Sequence, residues 1–176
     1  MVRRREDGRK GARAVALYGL LIALAFIFSY VEAMIPVPVP IPGVKLGLAN
    51  LVNVVGLYTV GAAGTAAVAL VRIVLVGFTF SNPGSMLYAL AGGIFSLAVM
   101  IAAKKYKWFS EIGVSILGGI FHNIGQLIAA RFLVNVFLYY YIPVLILAGL
   151  LVGIMTGKLF TWIIPYLSLI HISEPT

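Results

Sequence analysis

Charged residues are scarce in this chain. Only 10% of its 176 residues are Asp, Glu, Lys or Arg, while 62% are hydrophobic and the mean hydropathy is +1.08. A soluble domain carries about a quarter charged residues, which it needs to cover its surface. The shortage argues against a soluble enzyme. It also argues against a nucleic-acid binder, because the basic residues behind the net charge of +8 are clustered in sequence. The sequence predicts an integral protein of the lipid bilayer.

Cysteine is missing altogether, and only two histidines are present. The chain can therefore form no disulfide and no thiolate metal site, and it has too few imidazoles for a metal-uptake site. Gly157-Lys158 lacks the upstream glycine loop and the following Ser or Thr of a Walker A motif. We expect no ATP hydrolysis by this chain, no cofactor and no metal site.

Six apolar stretches follow one another along the chain, and most reach the roughly 20 residues that cross a bilayer. They predict an all-α polytopic membrane protein, a six-transmembrane-helix bundle over residues 14–165, between a basic arm (1–13) and a polar tail (166–176). The second stretch is short, and a single bent element over residues 46–80 is the alternative. The predicted stretches cover residues 14–35, 46–58, 61–80, 86–103, 112–134 and 139–164.

The basic residues predict the orientation of the bundle. Six of the thirteen precede residue 14, three lie between residues 104 and 107, and Lys158 lies in the last stretch. Six crossings with an inside N-terminus place all of these on one side, as the positive-inside rule requires. We therefore expect both termini to be cytoplasmic and the protein to lie in the plasma membrane.

Small residues recur every fourth position in two stretches, where they let another helix backbone approach closely. One reading is packing within the bundle, and the other is docking onto a partner membrane subunit. The candidate docking residues are Gly19, Ala23, Gly149, Gly153 and Gly157.

Polar side chains inside the apolar stretches are costly and usually face protein or a cavity. In the predicted orientation they all map to the midplane or the outer half of the bilayer, which indicates a polar pocket open to the outside. The alternative is that Arg72 merely pairs with Glu32 and that the amides join helices. The candidate substrate-binding residues of this set are Glu32, Asn50, Asn53, Arg72, His122, Asn123 and Gln126.

Two loops on the same predicted side could add to the pocket. Residues 36–45 alternate proline with other residues, which favours a stiff, extended path that is either a lid or a rigid turn. This segment ends in Lys45, and the turn over residues 81–85 contains Asn82. We count both as candidate ligands of the solute.

Four segments of the chain match known family motifs: residues 41–53 (IPGVKLGLANLVN), 69–77 (ALVRIVLVG), 88–93 (YALAGG) and 119–126 (GIFHNIGQ). They resemble the Gx transporter family, also called heptaprenyl diphosphate synthase component I. That family is similar to the substrate-binding S components of energy-coupling factor (ECF) transporters. The resemblance implies a six-helix protein that binds a small nutrient from outside, while a transmembrane T component and two ATPase subunits drive transport. Residues 168–176 resemble translated sequencing-adapter sequence, and we assign them no function.

Two further function classes stay open besides the import subunit. A stand-alone secondary transporter could use Glu32, Arg72 or His122 for proton coupling. A non-catalytic accessory subunit of prenyl diphosphate or quinone biosynthesis would fit the family's second name. Prenyl diphosphate synthases hold Mg²⁺ with clustered aspartates, whereas this chain has Asp7 alone, so it cannot perform that reaction by itself.

Overall fold

Six α-helices make up the part of the chain that this computed structural model describes, residues 2–35, 47–134, 140 and 142–172, and these residues include no strand. The predicted all-α, six-helix architecture is thereby confirmed. The helices are α1 (Val2–Met34), α2 (Asn50–Thr59), α3 (Gly61–Thr79), α4 (Pro83–Lys105), α5 (Glu111–Val134) and α6 (Ile142–Ile172).

Five of these helices are long and apolar enough to cross a bilayer, and α2 is not among them. With 10 residues, α2 is about 15 Å long at 1.5 Å per residue. It is also shorter than the predicted stretch of residues 46–58. The candidate spans are Gly11–Met34, Gly61–Thr79, Pro83–Lys105, Glu111–Leu133 and Ile142–Pro165.

The bundle has the reverse polarity of a soluble protein, with large apolar side chains on its surface and polar side chains in its interior. Phe78, Phe132 and Trp162 are each at least 77% exposed, whereas Asn53 and Gln126 are almost completely buried. Large apolar side chains on the outside are stable when lipid surrounds them, and buried polar groups then bond to one another. The chain is therefore a multi-pass membrane protein.

Helices α2 and α3 are separate elements that meet at Val60. The chain turns there because Gly61 has a φ of +79°, in the left-handed region that glycine adopts without a Cβ penalty. The alternative of one bent element over residues 46–80 is wrong.

The C-terminal end of α2 is held by Lys104 of α4. The Lys104 Nζ donates to the Leu57 carbonyl oxygen at 2.6 Å and lies over the Tyr58 ring.

The short helix α2 lies inside the bundle and contacts each of the other five helices. It runs parallel to the second half of α4, since Asn50 bonds to Ser96 and Leu57 bonds to Lys104. Ser96 lies about 20 Å along α4 from its start, at 1.5 Å per residue. The first turn of α2 is therefore at mid-depth in the bundle.

Successive helices run in opposite directions across the bundle. Glu32, near the end of α1, contacts Gly47, just before α2, and α4 and α5 are antiparallel because Gly92 lies against His122 and Met100 against Gly118. We call the two ends of the bundle the Glu32 end and the Lys104 end. The Lys104 end carries the basic α4–α5 turn and the C-terminus of α2.

Glycines bring α5 and α6 into backbone contact. Gly149 lies against Gly119, Gly153 against Ile116, and Gly157 against Ile112, so closely that an added Cβ would come within 3 Å of backbone atoms. All three glycines of α6 are buried. Packing within the chain thus accounts for them, and the proposed docking on a partner has no accessible surface there. Gly19 and Ala23, in contrast, lie on an exposed face of α1.

The first and last helices, α1 and α6, extend beyond the predicted apolar stretches. Residues 2–13, predicted as a separate arm, are the first part of α1, and α6 continues beyond Pro165 to Ile172.

The start of α4 is fixed by Asn82. Its side chain accepts the Ser85 N–H at 2.9 Å, and Pro83 lies in the first turn. This is a standard helix N-cap.

Candidate functional site

A cavity lies beside the first turn of α2, enclosed by α1, α3, α4 and α5. Its volume of about 20 Å³ holds roughly one water molecule. Five of the residues that the sequence singled out line it together, although they come from four different helices. These are Glu32, Asn50, Arg72, His122 and Gln126.

Glu32 anchors the start of α2. Its Oε1 accepts the backbone N–H of Gly47 and, at 3.3 Å, that of Leu48. The turn depends on Gly47, whose φ of +94° favours glycine. The bonded N–H groups belong to the turn before α2, because the helix begins at Asn50, whose own N–H donates to the Gly47 carbonyl. Glu32 thus holds this turn against α1 in the interior of the bundle.

Arg72 lies in the middle of α3 and is 6% exposed. Its Nη1 donates to the hydroxyl oxygen of Ser29 at 3.2 Å, and the Ser29 hydroxyl donates to the Ala25 carbonyl at 2.8 Å. Nε and Nη2 have no hydrogen-bond partner among the residues that the structure describes. The Glu32 carboxylate also interacts electrostatically with this guanidinium. Arg72 is thus oriented by α1, and no described residue bonds to the Nε–Nη2 edge of its guanidinium.

Asn50 and Asn53 form a buried amide pair on one face of α2. The Asn50 Oδ1 accepts the Ser96 hydroxyl at 3.0 Å and the Asn53 Nδ2 at 3.5 Å. Both asparagines are 2% exposed. Since Ser96 belongs to α4, this group fixes the depth of α2 relative to α4, as amides that join helices do in membranes.

His122 and Gln126 form the α5 wall of the cavity. Their side-chain nitrogens lie 3.2 Å apart, as expected for residues one helical turn apart. The fit depends on Gly92 of α4, because a Cβ there would lie 2.8 Å from the His122 carbonyl oxygen and 3.0 Å from the ring Cε1. A Cβ at Gly47 would lie 3.4 Å from the ring Cδ2. The His122 ring is therefore packed against two glycine positions, one on α4 and one just before α2.

Three of the predicted residues that the structure describes, Asn53, Asn82 and Asn123, are not in the cavity lining. Asn123 donates from Nδ2 to the Leu145 carbonyl at 2.7 Å and so faces α6. Asn82 caps α4, although its neighbours Ser81 and Ser85 do line the cavity. Lys45 and the proline-rich segment of residues 36–45 lie outside the described residues.

Four residues that the sequence analysis did not single out build the site. Ser29 holds Arg72, Ser96 holds Asn50, and Gly47 and Gly92 make room for His122. Ser29 could have been found, since it lies one turn before Glu32 on the same face of α1. The other three are small residues in apolar runs. Gly47 and Gly92 lie in segments that carry the family resemblance, but neither their type nor their spacing indicates a contact with His122.

The fold and the cavity together define a polytopic membrane protein with a polar site buried at mid-depth in its helix bundle. The chain belongs to the heptaprenyl diphosphate synthase component I family, whose family model matches residues 21–163. The family resemblance predicted from the sequence is thereby confirmed. No curated protein and no solved structure matches the chain.

Proposed function

We propose that this protein is the solute-binding membrane subunit of an ATP-driven importer for a small nutrient, comparable to the S component of an ECF transporter. The observation that supports this most is the convergence of Glu32, Asn50, Arg72, His122 and Gln126 on one cavity at mid-depth. Polar side chains at that depth are expensive unless they serve a site or a pathway. The chain itself would bind solute and would have no catalytic activity.

The orientation of the cavity supports uptake from outside. Lys104, Lys105 and Lys107 lie around the α4–α5 turn, at the end of the bundle opposite Glu32. By the positive-inside rule the Lys104 end is cytoplasmic, and the Glu32 end then faces outside. With six alternating helices, both termini are on the cytoplasmic side of the plasma membrane.

Energy for transport would come from partner subunits, because the sequence has no Walker A motif. We propose a transmembrane T component and two ATPase subunits as partners. Gly19 and Ala23 are candidates for docking the T component, since they lie exposed on α1 and no other part of the described chain lies within 4 Å of a Cβ placed at Gly19. Small residues of this kind permit close helix contact.

A second candidate function follows from the family's description as a synthase component. In that case the chain would be a non-catalytic membrane subunit that assembles with a separate prenyl diphosphate synthase. The buried cavity would then be a structural polar network, in which Arg72 and the amides only join helices.

Affinity purification of the tagged chain from its native membranes distinguishes the two candidates. We expect the co-purified proteins to include ATPase subunits carrying Walker A motifs and a T component. Recovery of a prenyl diphosphate synthase in their place would support the second candidate. A third outcome, solute accumulation by the purified chain in ATPase-free liposomes, would favour the stand-alone secondary transporter.

A further inference from the structure

We propose that the solute carries a single carboxylate and that this group binds side-on to the Nε–Nη2 edge of Arg72. The inference rests on the proposed function, because it names the chemical class of the solute in the same cavity. It starts from a buried donor edge. Nε and Nη2 have no hydrogen-bond partner among the described residues, while the third nitrogen, Nη1, is held by Ser29.

The geometry of that edge selects the ligand. Nε–H and Nη2–H of a guanidinium point the same way, and two parallel N–H bonds match the two oxygens of a carboxylate or phosphate. Arg72 is only 6% exposed, and it lines the cavity. A charged donor pair that is buried without acceptors costs free energy, so an acceptor with two oxygens stabilises it.

The charges around the cavity favour one negative charge over two. Glu32 lines the cavity and accepts the Gly47 and Leu48 N–H groups of the turn before α2. Its carboxylate interacts electrostatically with Arg72, the basic residue among the described lining residues. A monocarboxylate adds one negative charge beside the Glu32 carboxylate, whereas a phosphate dianion would add two.

Room for the carboxylate has to come from a flexible wall. The present cavity of about 20 Å³ is filled by roughly one water. Met86 lines the cavity and lies directly over Gly77, which leaves space for its thioether chain. An unbranched methionine side chain can change rotamer without backbone movement. Displacement of Met86 would therefore open the cavity next to Arg72.

The test uses the Nε–H resonances of the full chain, labelled with ¹⁵N-arginine, in detergent micelles. The probes are formate, acetate and propionate, each paired with its neutral amide, and inorganic phosphate. The Arg72 resonance is assigned with Arg72→Lys, and Arg131→Lys is the matched control on the exposed side of α5. We expect carboxylates to shift the Arg72 resonance saturably, with no saturable shift from the amides or from phosphate.

Binding by Arg72→Lys should be about tenfold weaker, the equivalent of about 1.4 kcal/mol, because lysine keeps the charge but not the two parallel donors. If that variant does not fold, the thermal midpoint of the wild-type chain serves instead. Carboxylates should then raise the midpoint, and amides at equal concentration should not. An Arg72 resonance and a midpoint that carboxylates leave unchanged would show that water alone fills the edge and would overturn the proposal.

The inference and the proposed function can fail separately. A retained natural solute without a carboxylate would overturn the inference and leave solute binding intact. Saturable carboxylate binding at Arg72, in a chain that co-purifies with a prenyl diphosphate synthase, would support the inference and contradict the import function.

Discussion

The Nη1 atom of Arg72 donates to the hydroxyl oxygen of Ser29 at 3.2 Å, and this bond joins α3 to α1 in the interior of the bundle. The Ser29 hydroxyl in turn donates a hydrogen bond to the Ala25 carbonyl one turn earlier on α1. The serine is 1% exposed and the arginine 6%. Because both partners are buried, the orientation of the cationic side chain in the cavity depends on this hydroxyl.

Ser29→Ala should destabilise the folded protein by about 1.5–3 kcal/mol, the usual value for a hydrogen bond to a charged group. The matched control is Ser29→Thr, which keeps a hydroxyl at the same position. We expect Ser29→Thr to unfold near the wild-type midpoint and Ser29→Ala well below it. Equal thermal midpoints for the two variants, measured in the same detergent, would show that the hydroxyl does not hold Arg72.

Gly92→Ala should displace His122, because the new Cβ would lie 2.8 Å from the His122 carbonyl oxygen. We expect a loss of about 1–3 kcal/mol of stability, as for other overpacked interiors. Gly93→Ala is the matched control one residue further on. Its Cβ would meet only the end of the Ile73 side chain at 3.7 Å, an ordinary contact. Similar unfolding of both variants would contradict the described packing of α4 on α5.

Gly153→Ala and Gly19→Ala test which small residues pack within the chain. A Cβ at Gly153 would lie 2.5 Å from the Ile116 Cα, whereas at Gly19 nothing lies within 4 Å. We expect Gly153→Ala to destabilise the isolated protein by about 1–3 kcal/mol. Gly19→Ala should stabilise it by up to about 1 kcal/mol, because alanine is the better helix former. A destabilised Gly19→Ala chain would mean that this face of α1 packs inside the protein.

The orientation of the bundle can be tested with alkaline phosphatase, which is active only outside the cytoplasm. A fusion after Ser81, in the turn between α3 and α4, should be active. A fusion after Lys105, at the end of α4, should be inactive because the adjoining lysines keep that turn inside. The reverse pattern would place the cavity on the cytoplasmic side.

Much of the site could be predicted from the sequence because polar residues in apolar stretches are costly. Arg72 and Gln126 stood out for this reason, and both line the cavity. Asn123 stood out equally but faces α6. Neighbouring helix residues such as His122 and Asn123 point about 100° apart, since a turn takes 3.6 residues. A polar residue can therefore be predicted to be buried without its partner being known.

The length of α2 could be predicted only in part. The second apolar stretch, residues 46–58, is short, but it begins four residues before the helix, which starts at Asn50. The start and the end of α2 depend on the positive φ values of Gly47 and Gly61, and the residue type alone does not indicate which glycines adopt such values. The depth of the site follows from this shortening, because the first turn of α2 then falls beside Ser96 in the middle of α4.

Binding of a small solute in the cavity beside Arg72 can be tested by native mass spectrometry. The gently purified wild-type protein is measured beside Arg72→Gln and the surface control Arg131→Lys. We predict that the wild-type and control chains retain a small molecule of one mass and that Arg72→Gln, folded by circular dichroism, has lost it. Retention of the same molecule by folded Arg72→Gln, or its absence from all three chains, would contradict solute binding at Arg72.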